Sequence, residues 1–176
     1  MDSNLRIRLP DAWIERSRAF AERLIQSYAN GESEASRAVS CFDAERNAEM
    51  QANAKMSECA FALFAGLDPE TAVHWGARPD KGYDLIWHGK RWDVKATHAG
   101  GTRLIWPITK NGIFATKPID ALVLVKHKPP NFLVRGWIGK AEFYVRKEIA
   151  GEGHKLFPGT WFVDQTVLDH VFAGGA

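Results

Sequence analysis

Asp84, Asp93 and Lys95 are the residues whose types and spacing could do chemistry. They lie in the stretch GYDLIWHGKRWDVKATH, from Gly82 to His98. Tyr, Leu, Ile, Trp and Val crowd both sides of a glycine there, the pattern of two strands joined by a tight turn at His88-Gly89 or Gly89-Lys90. An antiparallel hairpin with a two-residue loop sets Asp84 opposite Asp93 in one register and opposite Lys95 in the other. Either register puts all three on one face, because opposed residues and residues two apart on a strand share a face. The other face carries Leu85, Trp87, Trp92, Val94 and Ala96. A D-x-K triplet alone is more often a solvent-facing ion pair worth about 0–1 kcal/mol. Asp84 changes the balance, since like charges across a hairpin are unfavourable unless something positive lies between them. Lys95 can supply that charge. A divalent cation supplies it better, because hard Mg²⁺ takes carboxylate oxygens and water and needs few protein ligands.

A metal between Asp84, Asp93 and a phosphodiester would neutralise charge and lower the pKa of a bound water. Lys95, two residues along the strand, would then orient that water or stabilise developing charge rather than act as the base. Glu58 is a candidate third carboxylate. The helix around it has no charge from Cys59 to Leu67, and its helical neighbours Ala54, Phe61 and Ala62 place it at the margin of a buried face. A helix packed beside the hairpin could bring it to the same metal, and pairing with Lys55 at the surface is the other reading.

The elements that must position these groups follow from the chain order. Pro10-Asp11 starts a helix in which Trp13, Phe20, Leu24 and Tyr28 recur near the helical period until Asn30-Gly31. Residues 32–42 read as a short helix or an irregular connection. Asp43 to Leu67 has strong helix formers and reads as one long helix, with Ala52, Met56, Cys59, Leu63 and Leu67 facing the core. After the hairpin, RLIWPI reads as a third strand and TKNGIFATKP as a basic segment with a short helix. Ile119 to Val125 reads as a strand covered on both faces. Phe132 to Ile138 is a further strand, Lys140 to Lys147 a helix, and TWFV with the Asp164 cap and QTVLDHVF a last strand and helix. This order predicts an α/β or α+β layer fold.

The 176 residues are 45% hydrophobic, enough for one well-buried domain. With 23 basic against 21 acidic residues and a net charge of +2, an anionic partner is permitted rather than demanded. Arg103, Lys110, Lys117, Lys126 and Lys128 form a local basic run. Trp106 and Phe114 within it read equally as stacking platforms for nucleic acid or as core. Cys41 and Cys59 match no metal spacing, and Cys59 in its apolar run reads as a buried thiol. No His has metal-ligand spacing with another His or Cys, so His74, His127, His154 and His170 read as structural or surface residues, and His88 would lie at the turn. His98 is near enough to the D-x-K strand to touch a substrate. There is no phosphate-binding glycine loop and no dinucleotide fingerprint. The opening LRIRLPDAWIERSR is too charged for an apolar targeting segment, and no run reaches membrane-spanning length. A cytoplasmic location without a membrane partner is expected.

A helical Glu58, then G-x-D at Gly82 to Asp84, then D-x-K at Asp93 to Lys95, resembles the PD-(D/E)xK nuclease superfamily. The DALVLV, FLVRGWIGKAEF and GTWFVD segments are similar to the tail of small nucleases of this type from phages and mobile elements. The resemblance spans roughly Asp43 to Phe172. It implies an α/β fold with a restriction-endonuclease-like core, a central mixed β-sheet flanked by helices over 43–176, and an N-terminal helical extension over 1–42. It implies Asp84 and Asp93 as metal ligands, with Val94 and the accessory Glu58 at the same metal, and Lys95 as the catalytic lysine. Asp80 of the literal Pro79-Asp80 pair is a second choice, because it precedes Gly82 and lies beyond the hairpin pairing. The implied activity is a Mg²⁺-dependent deoxyribonuclease, with Mn²⁺ substituting, leaving 5′-phosphate and 3′-hydroxyl ends. RNA cleavage, and a non-catalytic domain that binds nucleic acid or protein, are the alternatives. Residues 1–42 leave room for a homodimer interface.

Overall fold

The computed structural model describes residues 5–29, 44–76 and 82–169. Its centre is a five-stranded mixed sheet in the order β1-β6-β5-β3-β2, formed by β1 (Arg6–Arg8), β2 (Leu85–Trp87), β3 (Lys90–His98), β5 (Ala121–Lys128) and β6 (Asn131–Gly139). β3 and β5 run parallel, and the other neighbours are antiparallel. A second sheet, β4-β8-β7, consists of β4 (Arg103–Trp106), β7 (Glu148–Ile149) and β8 (Trp161–Asp164). The α/β class and the central mixed sheet flanked by helices are as the sequence leads one to expect. RLIWPI is a strand as expected, Arg103–Trp106, and it pairs with β8 in the second sheet, which leaves the place beside β3 to β5.

β5 shows why the sheet is central. ALVLV is wholly buried. Ala121, Val123 and Val125 join the helix-side core, whereas Leu122 and Leu124 join the core under the second sheet. A strand apolar on both faces has no solvated side and must be covered twice.

The helix-side cover is α1 (Asp11–Ala29) and α2 (Ala44–Phe64). α1 begins where Pro10 accepts the Trp13 and Ile14 amides at 3.0 and 3.3 Å. It buries Ile14, Ser17, Ala21 and Leu24 at helical spacing. α2 is buried on more than the expected stripe, since Ala60, Phe61 and Ala62 are as enclosed as Met56 and Cys59. It lies between α1 and the sheet. It ends three residues short of Leu67 in a left-handed Gly66 (φ 72°), with Gly66 N–H bonded to Leu63 O and Leu67 N–H to Ala62 O, a Schellman cap. The short α3 (Pro69–Ala72) follows, capped by the Asp68 carboxylate on the Glu70 N–H at 2.9 Å.

The N-terminal segment reads differently from its sequence. Arg6–Arg8 is a strand on the edge of the main sheet, and Leu9, Ile14 and Ala21 sit in the same core as β3 and β5. The expected terminal helix after Asp164 is one 3₁₀ turn, Gln165–Val167, after which Asp169 bridges to Trp137. Residues 30–43 and 170–176, with Cys41 and His170, lie outside the described residues, as does the Tyr28 side chain. α4 (Lys140–Arg146) completes the cover on the second-sheet side through Phe143. Among the described residues no helix is long and apolar enough to cross a membrane.

Candidate functional site

The hairpin turns at His88-Gly89, both with positive φ (49° and 70°), the conformation of a two-residue turn whose twist matches its strands. That turn fixes Leu85 opposite Trp92 and Trp87 opposite Lys90. Carried one residue further, the register faces Asp84 towards Asp93, the first of the two registers open to the sequence. Asp84 lies just outside the regular ladder. Its N–H donates to Trp92 O at 2.8 Å, and its Oδ2 accepts the Val94 N–H at 2.5 Å. The carboxylate thus takes a β3 amide that a further β2 residue would otherwise have to satisfy.

Asp93 and Lys95 share the sheet face of their partners Leu122 and Leu124, towards the second sheet, and Trp92 packs on the helix side. Asp93 is 1% exposed. A buried carboxylate needs partners, and Asp93 has two. Lys95 Nζ ion-pairs with its Oδ2, and Lys117 Nζ with its Oδ1. Both ammonium groups lie over the indole of the fully buried Trp106 on β4, 4.7 and 5.2 Å from a ring centroid, an arrangement that adds cation–π attraction.

Lys117 is held by its surroundings. Lys140, the first residue of α4, donates to Ala115 O (2.9 Å) and Lys117 O (2.6 Å). Phe114 anchors the same turn edge-on to Trp106 at 4.7 Å. On the hairpin side, Gly82 (φ 87°) approaches Pro118 so closely that a Cβ would stand 2.8 Å from the proline ring. Only glycine satisfies both the backbone angle and this contact. The chain entering Asp84 is thereby pressed against the turn carrying Lys117.

The two carboxylates are driven apart in acidity. Burial, then the neighbouring Asp93 charge, push Asp84 up from 3.8 to about 6, against the pull of Lys95, the Val94 N–H and Lys117. Burial also acts to raise Asp93, but Lys95 and Lys117 outweigh it and hold this carboxyl below its ordinary range. Lys110 is near enough to feel all four groups. Partial desolvation by its neighbours, then the charges of Lys95 and Lys117, lower the pKa of this surface lysine, against the opposing Asp93 and Asp84. A cleft of about 440 Å³, bordered by Thr71, His74, Tyr83, Asp84 and Ile86, gives space beside Asp84.

The structure thus brings together Asp84, Asp93 and Lys95, with Val94 contributing its N–H to Asp84. Glu58 pairs instead with Lys55 at 2.5 Å, and Lys55 also donates to His74 O at 2.9 Å. The pairing partner is the one the sequence offers as the alternative, but the pair is largely enclosed (side chains 12% and 9% exposed) rather than at the surface. Among the described residues no three His, Cys, Asp or Glu side chains are grouped to hold a metal. Asp80 lies outside the described residues. Trp106 and Phe114 resolve as core, 0% and 2% exposed, and so are not stacking platforms. His98 accepts the Gly100 N–H at 3.1 Å and pairs in register with His127. Cys59 is buried, and burial followed by the Glu58 charge lifts its thiol to about 12.

Lys117 is the site residue that sequence reasoning places only in a general basic run. Its separation from Asp93 by 24 residues and a crossover leaves no local signal. Compared with protein-family models, curated proteins and solved structures, the chain finds no match in any of the three.

Proposed function

We propose that the chain is a divalent-metal-dependent nuclease that hydrolyses phosphodiester bonds of DNA, on a restriction-endonuclease-like core. The observation that carries the reading is the juxtaposition of a buried carboxylate, Asp93, and a half-buried one, Asp84, with Lys95 on the same rigid strand as Asp93. Hard carboxylate oxygens completed by water suit Mg²⁺ or Mn²⁺. Positive charge is already demanded at this point, since both oxygens of Asp93 face an ammonium group. Asp84 and Asp93 would hold the ion, with Glu58 as the accessory carboxylate only if it leaves Lys55. Bound there, the metal supplies Lewis acidity for a water nucleophile and neutralises phosphate charge.

The chain's own groups have separable tasks. Asp93 is kept ionised by its lysines at neutral pH. Asp84, raised to about 6, is half ionised at that pH and becomes fully available only as pH rises beyond it. Lys95 is oriented by Asp93 and the Trp106 face, so it can position a water or meet charge on the scissile phosphate without reorganising. Lys110 adds positive charge for the phosphodiester backbone.

A second reading, a non-catalytic domain that binds nucleic acid or protein, has its own support. Lys95 and Lys117 already satisfy Asp93 without any metal. The two are separated by incubating the purified protein with supercoiled, linear and single-stranded DNA, and with RNA, in Mg²⁺ or Mn²⁺ with and without EDTA. Metal-dependent cleavage of DNA, lost in Lys95→Met at a temperature where circular dichroism shows the variant still folded, is the expected outcome. No cleavage of any substrate leaves the binding domain, and cleavage of RNA alone changes the substrate.

A further inference from the structure

The quartet Asp84, Asp93, Lys95 and Lys117 carries two negative and two positive charges. Lys95 comes on the same strand as Asp93. Lys117 comes from a different segment, pinned by Lys140 on one side and the Gly82–Pro118 contact on the other, and its ammonium meets the carboxylate oxygen that Lys95 leaves over. Burying Asp93 with a single counter-ion would leave one oxygen desolvated and uncompensated.

We propose that Lys117 is a built-in counter-cation that occupies Asp93 in the metal-free protein and competes with the divalent cation for it. The inference rests on the metal site proposed above, which it deepens. Two cations cannot share one carboxylate oxygen without mutual repulsion, so the ion needs the Lys117 contact to loosen, and Lys117 weakens metal affinity by the free energy of that contact. A dication added to a neutral quartet leaves a surplus of two positive charges, the sign that an incoming phosphodiester offsets. The displaced ammonium, still tethered near Trp106 and Lys110, remains in reach of that anion. The metal-free chain keeps its carboxylates satisfied, and the site acquires its positive charge only when loaded.

The test is Mn²⁺ affinity by calorimetry on the full chain without nucleic acid, for wild type, Lys117→Met and Lys110→Met. Lys117→Met is expected to bind Mn²⁺ about fivefold or more tighter, the lower end of ordinary coupling between sites. Its metal-free thermal midpoint is expected to fall and to rise more on adding Mn²⁺ than that of wild type. Lys110→Met removes a nearby positive charge but no ion pair, and is expected to change affinity less. Unchanged or weaker binding by Lys117→Met overturns the proposal, as do equal gains from both variants or absence of Mn²⁺ binding in all three. Should Lys117→Met not fold, ¹⁵N spectra of the wild-type lysine ammonium groups decide. The Lys117 signal must shift on adding Mg²⁺, and an unmoved signal overturns the competition. Tighter binding without DNA cleavage would sink the nuclease reading and keep this one; cleavage with unchanged affinity would do the reverse.

Discussion

Replacing Asp84 by Asn should make the fold more stable while removing its capacity to bind a divalent ion. The burial of Asp84 and the charge of Asp93 raise its carboxyl from 3.8 to about 6. At 1.36 kcal/mol per unit, ionising it in the folded chain costs about 3 kcal/mol relative to the unfolded one. The folded pKa is the higher one, so between about pH 4 and about pH 6 the native state holds a proton that the unfolded state has released. This contribution to stability is therefore full below that window and lost as pH rises through it. Asn carries no charge and keeps an oxygen for the Val94 N–H, and its presence also relieves Asp93 of a like-charged neighbour. Urea denaturation should find Asp84→Asn more stable than wild type by up to ~3 kcal/mol at about pH 8, with the two converging near pH 4. Calorimetry should show Mn²⁺ binding lost in the same variant. If the variant is equal to or less stable than wild type at about pH 8, the reasoning is refuted. The charge-assisted bond to Val94 would then hold the hairpin by more than the burial of the charge costs.

Trp106→Ala removes a fully buried ring that packs against Phe114 and underlies both lysines, and should lower stability by ~3–5 kcal/mol in denaturant. Glu58→Gln removes the opposite charge from the enclosed Lys55, which is 7% exposed and keeps its bond to His74 O and the neutral amide, and should cost ~3 kcal/mol with Mn²⁺ affinity unchanged. A large loss of affinity would instead place Glu58 at the metal. Asp120 accepts three hydrogen bonds from Arg91, which hold its carboxyl at about 2. Its stabilising effect should be present above about pH 4 and disappear as pH falls through about 2. Acid titration should show the gap between wild type and Asp120→Asn closing over that range, and a gap independent of pH would argue against the assignment.

The parts of this structure that are legible in the sequence are those with short-range causes. The hairpin follows from apolar residues flanking His88-Gly89, and the doubly covered β5 from ALVLV, because turn chemistry and periodicity act within a few residues. The placement of RLIWPI does not follow. Its alternation fits a strand in either sheet, and the choice is made by Trp106 and Leu104 filling the core above Leu122 and Leu124, a contact no local pattern encodes. Three-residue β1 is too short for a periodic signal, and it pairs because β6 offers an edge. At the site, loop length narrows Asp84 to facing Asp93 or Lys95, and the turn position at His88-Gly89 decides for Asp93. Lys117 was not, since lysines in the crossover look alike until the fold selects one. Glu58 shows the converse: its margin position was readable, but the choice of Lys55 as partner depends on how the end of α3 brings His74 O to the same ammonium.

The parallel pairing of β3 with β5 needs a crossover, because parallel neighbours cannot be joined by a tight turn. Here that crossover runs through β4 and the 3₁₀ helix Ile108–Ile113, and it carries Trp106, Lys110 and Lys117 into the site. Lys110 and Lys117 therefore arrive on the segment whose closure pairs β3 with β5, and Lys95 already stands on β3. Folding intermediates with β3 and β5 unpaired would hold Asp93 without Lys117, and assembling the site would coincide with closing the crossover that pairs these two strands. Amide exchange along β3 then becomes a clock for both events: protection of the β3 amides that face β5 and capture of Asp93 by Lys117 should appear in one kinetic phase.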